Sequence, residues 1–354
     1  MENSEIIYRL ATKEDIEVLA QNTNTIAWET EQIECDLEFI KSNLDIGLDY
    51  PENIFYFVAE RKSDNQVIAS LGNTMEYNII DGGSYAWFQS VCVQKEHRGK
   101  KIFRNLFEAA KKLALETNCL GMKLYVEKEN HRARAIYKKY GFYFPDCSIY
   151  QIDLVFGFGC DTFSSENIQK NNKNFKEKIS KYLENLENLD SKKLDLKLEI
   201  LETDELIDEC LGQSQNIDEF EILFTTESKF SQKKKFSEKL IEFKKRKFSD
   251  CFCLKNGSEV VGLISTFDEF SDWRGGFNYW VYDFRISKEV KFAKELVVAK
   301  TAELLLDTIR KRQRLSGNTI RWQIFNQYLP NVLEILEKIG FEKYGDDVMN
   351  LDFS

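Results

Sequence analysis

The feature that most constrains this chain is an internal duplication. The stretch Gln66 to Val93, QVIASLGNTMEYNIIDGGSYAWFQSVCV, lies without a gap over Glu259 to Ile286, EVVGLISTFDEFSDWRGGFNYWVYDFRI. Both read as strand, Gly-Gly turn, strand, with Gly82-Gly83 over Gly275-Gly276 and Trp87 over Trp280. Only five positions are identical, so pattern carries the argument. A second correspondence follows in each half, where Gly141-Phe142 precedes Asp153 and Gly340-Phe341 precedes Asp352, each with a Gly to Asp spacing of twelve. A repeat of this kind predicts two copies of one domain. The 354 residues, 43% hydrophobic and 13% aromatic, supply material for two cores.

Strand patterns in the first copy fall at Ile6 to Leu10, Ile54 to Glu60, Val67 to Tyr77, Tyr85 to Val93, Met122 to Glu127 and Ile149 to Leu154. Helical periodicity occupies Lys13 to Thr23, Glu31 to Asn43, Lys101 to Glu116 and Arg132 to Tyr140. The order βααβββαβαβ predicts an α/β fold with a mixed sheet and helices on both faces, repeated from Leu196 to Phe353. We therefore divide the chain into a domain at 1–155, a connector at 156–194 and a second domain at 195–354. In the connector, Phe175, Ile179, Tyr182, Leu183 and Leu186 form a helical stripe that predicts a helix packed on a domain.

Composition removes several functional classes. A net charge of -10 argues against a sequence-blind grip on nucleic acid. No run approaches the ~20 apolar residues of a bilayer span, and MENSEIIYRL lacks the basic start and apolar stretch of a signal peptide. The expectation is a cytoplasmic protein with no membrane partner. The eight cysteines form no CxxC pair, and His97 and His131 are the only histidines, so no metal site is expected.

The chemistry concentrates in two segments of the first copy. Val91 to Arg104 leaves a strand through a basic, Gly-containing turn and enters a helix. Such a junction collects anions, because unpaired N–H groups and the positive end of the helix dipole converge there, and Arg98, Lys100 and Arg104 add charge. About thirty residues later, Tyr125 to Phe142 reads as a strand, a turn and a short helix ending in Gly-Phe.

These segments resemble the GNAT superfamily of N-acetyltransferases. Arg98-Gly99-Lys100-Lys101-Ile102-Phe103 is similar to the family's R-G-x-G-x-G/A acyl-CoA loop, with Lys101 and Phe103 in place of small residues. Asn130, Ala133, Tyr137, Gly141 and Phe142 match its N-x-x-A-x-x-x-Y-x-x-x-G-F motif. The resemblance implies two tandem acyl-CoA N-acyltransferase domains and acetyl-CoA as cofactor. It implies that backbone amides from Gly99 through Lys100, Lys101, Ile102 and Phe103 to Arg104 cradle the pyrophosphate. Arg98 would add charge there, Asn130 with Ala133 would hold the pantetheine arm, and Tyr137 would protonate the departing thiolate. A backbone N–H near Cys92 and Val93 would polarise the thioester carbonyl.

A base for the incoming amine is harder to find. Where many members of that family carry a carboxylate on the fourth strand, this chain has Gln89 followed by Ser90. Gln89 could order a water, with Glu76 or Glu127 as acceptors. The second copy has Lys288 to Lys294 in place of the loop, without a glycine, and Leu336 where Tyr137 stands. It reads as non-catalytic. Trp28 to Glu52 carries eight acids against Lys41 alone, and Trp28, Glu29 and Glu31 are the expected contacts of a cationic acceptor. The sequence thus predicts an N-acetyltransferase acting by direct attack on a small-molecule amine or a lysine side chain. The rival reading is a non-catalytic acyl-CoA sensor or scaffold, and oligomeric state is not legible.

Overall fold

A computed structural model of the chain describes residues 5–79, 81–153, 165–187, 194–201, 208, 220–225, 249–272, 276–311, 319–328, 330, 332–345 and 347–352. The first copy runs β1 (Ile6–Leu10), α1 (Ile16–Glu31), α2 (Leu37–Gly47), β2 (Ile54–Arg61), β3 (Gln66–Asn78), β4 (Gly83–Val93), α3 (Ile102–Glu116), β5 (Gly121–Val126), α4 (His131–Lys139) and β6 (Cys147–Asp153). After α5 (Ser165–Glu187) come β7 (Leu196–Ile200), β8 (Glu221–Thr225), β9 (Ser249–Asn256), β10 (Glu259–Ser271), β11 (Gly276–Ile286), α6 (Lys294–Lys311), β12 (Thr319–Phe325), α7 (Leu333–Ile339), β13 (Glu342–Lys343) and β14 (Asp347–Asp352). The architecture is mixed α/β in two copies. Of the repeat signals, Gly275 lies outside the described residues, as does the expected domain edge at 155.

Local chemistry explains most boundaries. In α3, Ile102, Leu106, Phe107, Ala110 and Ala114 are buried at three- and four-residue spacing, one apolar stripe against the sheet. Gly257 at φ 63 turns the β9–β10 hairpin. Helix α1 continues past Thr23 through a polar tract in which Thr25 and Thr30 donate their hydroxyls to the carbonyls of Gln21 and Ile26 at 2.8 and 3.0 Å. It stops where Gln32 adopts φ 58. In α5, Ile179 and Leu183 are buried, and Lys176 pairs with Asp307 of α6 at 2.8 Å.

The sheets are ordered β1-β2-β3-β4-β5-β14 and β13-β6-β12-β11-β10-β9-β7, with β8 added on β11. The two copies exchange their final strands. β6 of the first copy pairs antiparallel with β12, Asp153 opposite Thr319, and β14 of the second pairs with β5, Asp352 opposite Gly121. The equivalent Gly to Asp spacings noted above therefore lead into swapped strands. Between the sheets the two repeated tryptophans meet, Trp87 against Trp280 at 5.4 Å, with Tyr125 stacked on Trp280 at 6.0 Å. Each indole donates to a buried glutamate of its own copy, Trp87 to Glu76 and Trp280 to Glu269. A cation of the neighbouring strand answers each one, Lys123 on Glu76 at 2.8 Å and Arg321 on Glu269 at 3.4 Å. Duplicated residues have thus become a pseudo-symmetric interface. No helix among the described residues is long and apolar enough to cross a membrane.

Candidate active site

The site begins with a fault in the first sheet. The β3–β4 register shifts between Ser70 and Gly72, and Ser90 on the bulged strand sits at φ 49. β4 is parallel to β5 from Tyr85 to Phe88 and no further. Beyond Phe88 the strands part, and the gap is a cleft of about 740 Å³. One end is lined by Val91, Cys92, Val93, Arg98, Asn130, Ala133 and Tyr137, the middle by Gln89, Ser90 and Glu127, and the far wall by Glu269, Asp272 and Arg321 of the second copy.

At the first end, a short turn at Lys95–His97 leads into α3. Gly99 at φ 79 and Lys101 at φ 65 bend the chain so that Lys101 caps the helix. The first-turn N–H groups of a helix have no intrahelical acceptor, so this bend presents them as a nest. A Cβ built on Gly99 would meet nothing within 4 Å, so the nest lies open. Lys100, Lys101 and Arg104 are exposed around it. Ile102 is buried, and the Phe103 ring packs on Tyr140 at 5.6 Å and Tyr137 at 6.0 Å, so these two can offer backbone only. Arg98 is held in place: its Nε donates to the Val93 carbonyl at 2.8 Å and its Nη2 to both carboxylate oxygens of Glu29 at 2.9 and 2.7 Å.

Across the cleft, Asn130 caps α4, its Oδ1 accepting from the Ala133 N–H at 3.1 Å. One turn on, Tyr137 is half-buried between Phe103 and Phe142, and burial pushes its phenol up to about 12. Burial likewise pushes the Cys92 thiol up to about 11, which leaves it a neutral thiol rather than a nucleophile. Gln89 donates to Thr74 Oγ1 at 3.2 Å and lines the cleft beside half-buried Glu127.

Glu76 stands apart from these. It is 3% exposed, held by Lys123 and the Trp87 indole on the interface side of the sheet, and it does not line the cleft. Of the expected acceptor contacts, Glu29 lines the cleft but spends its charge on Arg98. Trp28 is 54% exposed and outside the lining, and the Glu31 side chain lies outside the described residues. The acidic helices are also better balanced than their sequence suggests. Lys13 pairs with Asp45 and Asp49 at 2.8 and 2.7 Å, Lys41 with Glu17 and Glu38, and Asp36 caps α2. The residue that sequence reading passed over is Asp272, 1% exposed, on the cleft's far wall. Its one sequence signal is that it lies over an unlike residue, Ile79, in the duplication.

The second copy closes the corresponding space. β8 pairs antiparallel with β11, Thr225 opposite Asp283 and Glu221 opposite Ile286, beyond the point where β11 leaves β12 at Val281. The turn into α6 holds no left-handed residue among those described, and Val290 and Ala293 are buried in it. Leu336, at the position of Tyr137, is fully buried in core.

With this geometry in hand, the comparisons decide the family. The pattern of the acetyltransferase (GNAT) family matches residues 14–142. A possible acetyltransferase from Clostridium difficile 630 is 34% identical over 39% of this chain and 91% of its own, at a TM-score of 0.37. The chain belongs to the GNAT acetyltransferase family. Its whole length is also similar to a tandem GNAT protein from the clavulanic acid biosynthesis pathway, at 12% identity over 98% of each chain and a TM-score of 0.53. A glucosamine N-acetyltransferase region of a fungal multi-domain β-N-acetylglucosaminidase gives 12% identity and a TM-score of 0.54, over 98% of this chain and 38% of that one. At such identities these two show the fold, a tandem of GNAT domains. Among curated sequences there is no match. Acetyl-CoA is the acyl donor of this family, and the first copy fits it: an open N–H nest, a basic rim and a cleft wide enough for a long arm leading past Asn130 to Tyr137.

Proposed function

We propose that the chain is an acetyl-CoA-dependent N-acetyltransferase whose reaction runs in the first copy, with a primary amine, cationic when free, as acceptor. The carrying observation is that one splayed cleft, with Tyr137 on its wall, occurs in the first copy, while β8 fills its counterpart in the second. Acetyl-CoA bound there supplies an activated thioester. The nest from Gly99 to Arg104 would hold the pyrophosphate, with Arg98 released from Glu29 to join it, and Asn130 and Ala133 would flank the arm. Backbone N–H groups beyond the β4 bulge near Cys92 and Val93 would orient the carbonyl. Tyr137, kept protonated by its burial, would give its proton to the leaving thiolate. Direct attack suits the site because the neutral thiol of Cys92 is no acyl carrier.

The test has two parts. Calorimetry should give one CoA site per chain. A panel of n-butylamine, spermidine, Nα-acetyl-lysine amide and kanamycin should contain at least one compound that the protein acetylates, read by mass spectrometry. CoA bound without acetylation of any amine would favour the acyl-CoA sensor instead, and two CoA sites would overturn the assignment of roles to the copies.

A further inference from the structure

The two β-hairpins of the duplication each reach into the other copy, and they carry different residues there. The β3–β4 hairpin delivers Ile79, fully buried, whose backbone N–H donates to the Tyr282 hydroxyl of β11 at 3.4 Å. Tyr282 stands in the second copy where Gln89 stands in the first. The β10–β11 hairpin delivers Asp272 to the equivalent place, against Ser90. An apolar plug thus enters the closed copy, and a carboxylate enters the open one.

Among the described residues, the hydrogen-bond partners of Asp272 are polar and uncharged. Ser90 Oγ donates to its two carboxylate oxygens at 2.9 and 2.8 Å, Tyr56 Oη at 3.1 Å and Thr23 Oγ1 at 3.4 Å, while Asn43 donates to its backbone carbonyl at 3.3 Å. Among the described residues no salt bridge reaches it. The titratable groups facing it among the described residues are the Tyr56 phenol, pushed well up by burial and then by the Asp272 charge, and the Cys35 thiol ahead of α2, pushed up to about 11 by the same two causes. Among the described residues, the other charges that line the cleft are the Arg98–Glu29 and Arg321–Glu269 pairs, matched within themselves, and Glu127 and Arg132. Taking a carboxylate out of water disfavours its charged form. Burial accordingly raises its pKa, which makes it a stronger base than an exposed carboxylate. Ser90, its closest partner, is half-exposed to the cleft between Gln89 and Val91.

We infer that Asp272 is the proton acceptor for the incoming amine, reached through the Ser90 hydroxyl, so that the second copy supplies the base the first one lacks. The inference rests on the N-acetyltransferase reading above. An ammonium group entering the cleft gives a proton to Ser90 Oγ as the Ser90 proton passes to Asp272. The freed lone pair forms the C–N bond to the acyl carbon while the C–S bond breaks. The thiolate takes the Tyr137 proton, the second proton leaving the new amide nitrogen restores that phenol, and the Asp272 proton leaves to solvent. Charge and protons balance with one proton released per amide formed.

The test compares the fastest amine of the panel with its aminooxy counterpart, whose nitrogen is neutral at neutral pH and needs no base. Asp272→Asn should lower kcat/KM for the alkylamine by about 10²- to 10³-fold and for the aminooxy compound by less than about tenfold. Affinity for CoA, measured separately by calorimetry, should stay within a few fold. Ser90→Ala should show the same selective loss, which guards against a folding defect peculiar to one variant. Equal losses on both nucleophiles, or none, would overturn the inference and leave the N-acetyltransferase reading standing. A wild-type protein that binds CoA but acetylates no amine would overturn both.

Discussion

Tyr137 is on the cleft wall because three aromatic neighbours, Phe103, Phe142 and Tyr140 behind Phe103, leave its ring a single course along the end of α4. The same packing dries the phenol and raises its pKa to about 12, so it is fully protonated at any pH the fold survives near neutrality. Removing the hydroxyl should therefore remove a proton donor and little else. Tyr137→Phe should keep CoA affinity within a few fold and lower kcat by roughly one to three powers of ten. Stopped-flow and calorimetry together separate the two, and unchanged turnover would make Tyr137 a packing residue. At this scale the sequence was partly legible. Tyr137 and Asn130 could be found because they lie four and eleven residues before Gly141, the glycine just past the end of their helix. Asp272 could not be found that way, since what makes it special is an unlike chain segment brought opposite Ser90 by tertiary structure.

At the scale of elements, the loop before α3 illustrates how a degraded motif keeps its geometry. Lys101 occupies the left-handed region at φ 65 where a glycine would sit without strain, and Gly99 occupies it at φ 79. The cost of Lys there is about 1 to 2 kcal/mol, partly matched by the conformational freedom a glycine would lose on folding. Lys101→Gly should therefore raise stability by up to about 1 kcal/mol, seen as a small rise in Tm. A fall in Tm would mean that the Lys101 side chain makes a stabilising contact. Strands of the first copy were readable because they are β-rich apolar runs, buried almost throughout in β2 and β3, and bounded by turns that carry Gly or Asn. The end of α1 was not, since the polar tract from Asn24 to Thr30 reads as a loop by pattern, whereas the helix runs to Glu31. The exchange of β6 and β14 was also beyond the sequence. An apolar strand after a Gly-Phe turn fits either sheet equally well by pattern, and which one it joins depends on how the two copies pack.

On the scale of the whole molecule, the exchange changes what counts as a domain. Each sheet is completed by a strand from the other copy, Ile79 and Asp272 of the two hairpins are each buried against the other copy, and the cleft has walls from both. The two copies should accordingly unfold together, in one cooperative transition, rather than as two units joined by α5. Trp280 is the residue at which this can be tested. It is 2% exposed, packs against both Trp87 and Tyr125 at 5.4 and 6.0 Å, and donates to Glu269 at 2.8 Å, so its ring holds aromatic contacts of the first copy and a buried ion pair of the second. Trp280→Ala should cost about 3 to 5 kcal/mol, the range for deleting a large buried aromatic, with a further penalty from leaving Glu269 short of a donor. In a calorimetric scan the loss should appear as a lower Tm of a single peak, and CoA binding, which we propose for the first copy, should disappear at that same lower temperature. If the scan instead resolves two peaks and the substitution moves one of them while CoA binding persists under the other, the copies are energetically separate. The shared cleft would then be a juxtaposition of two independent folds.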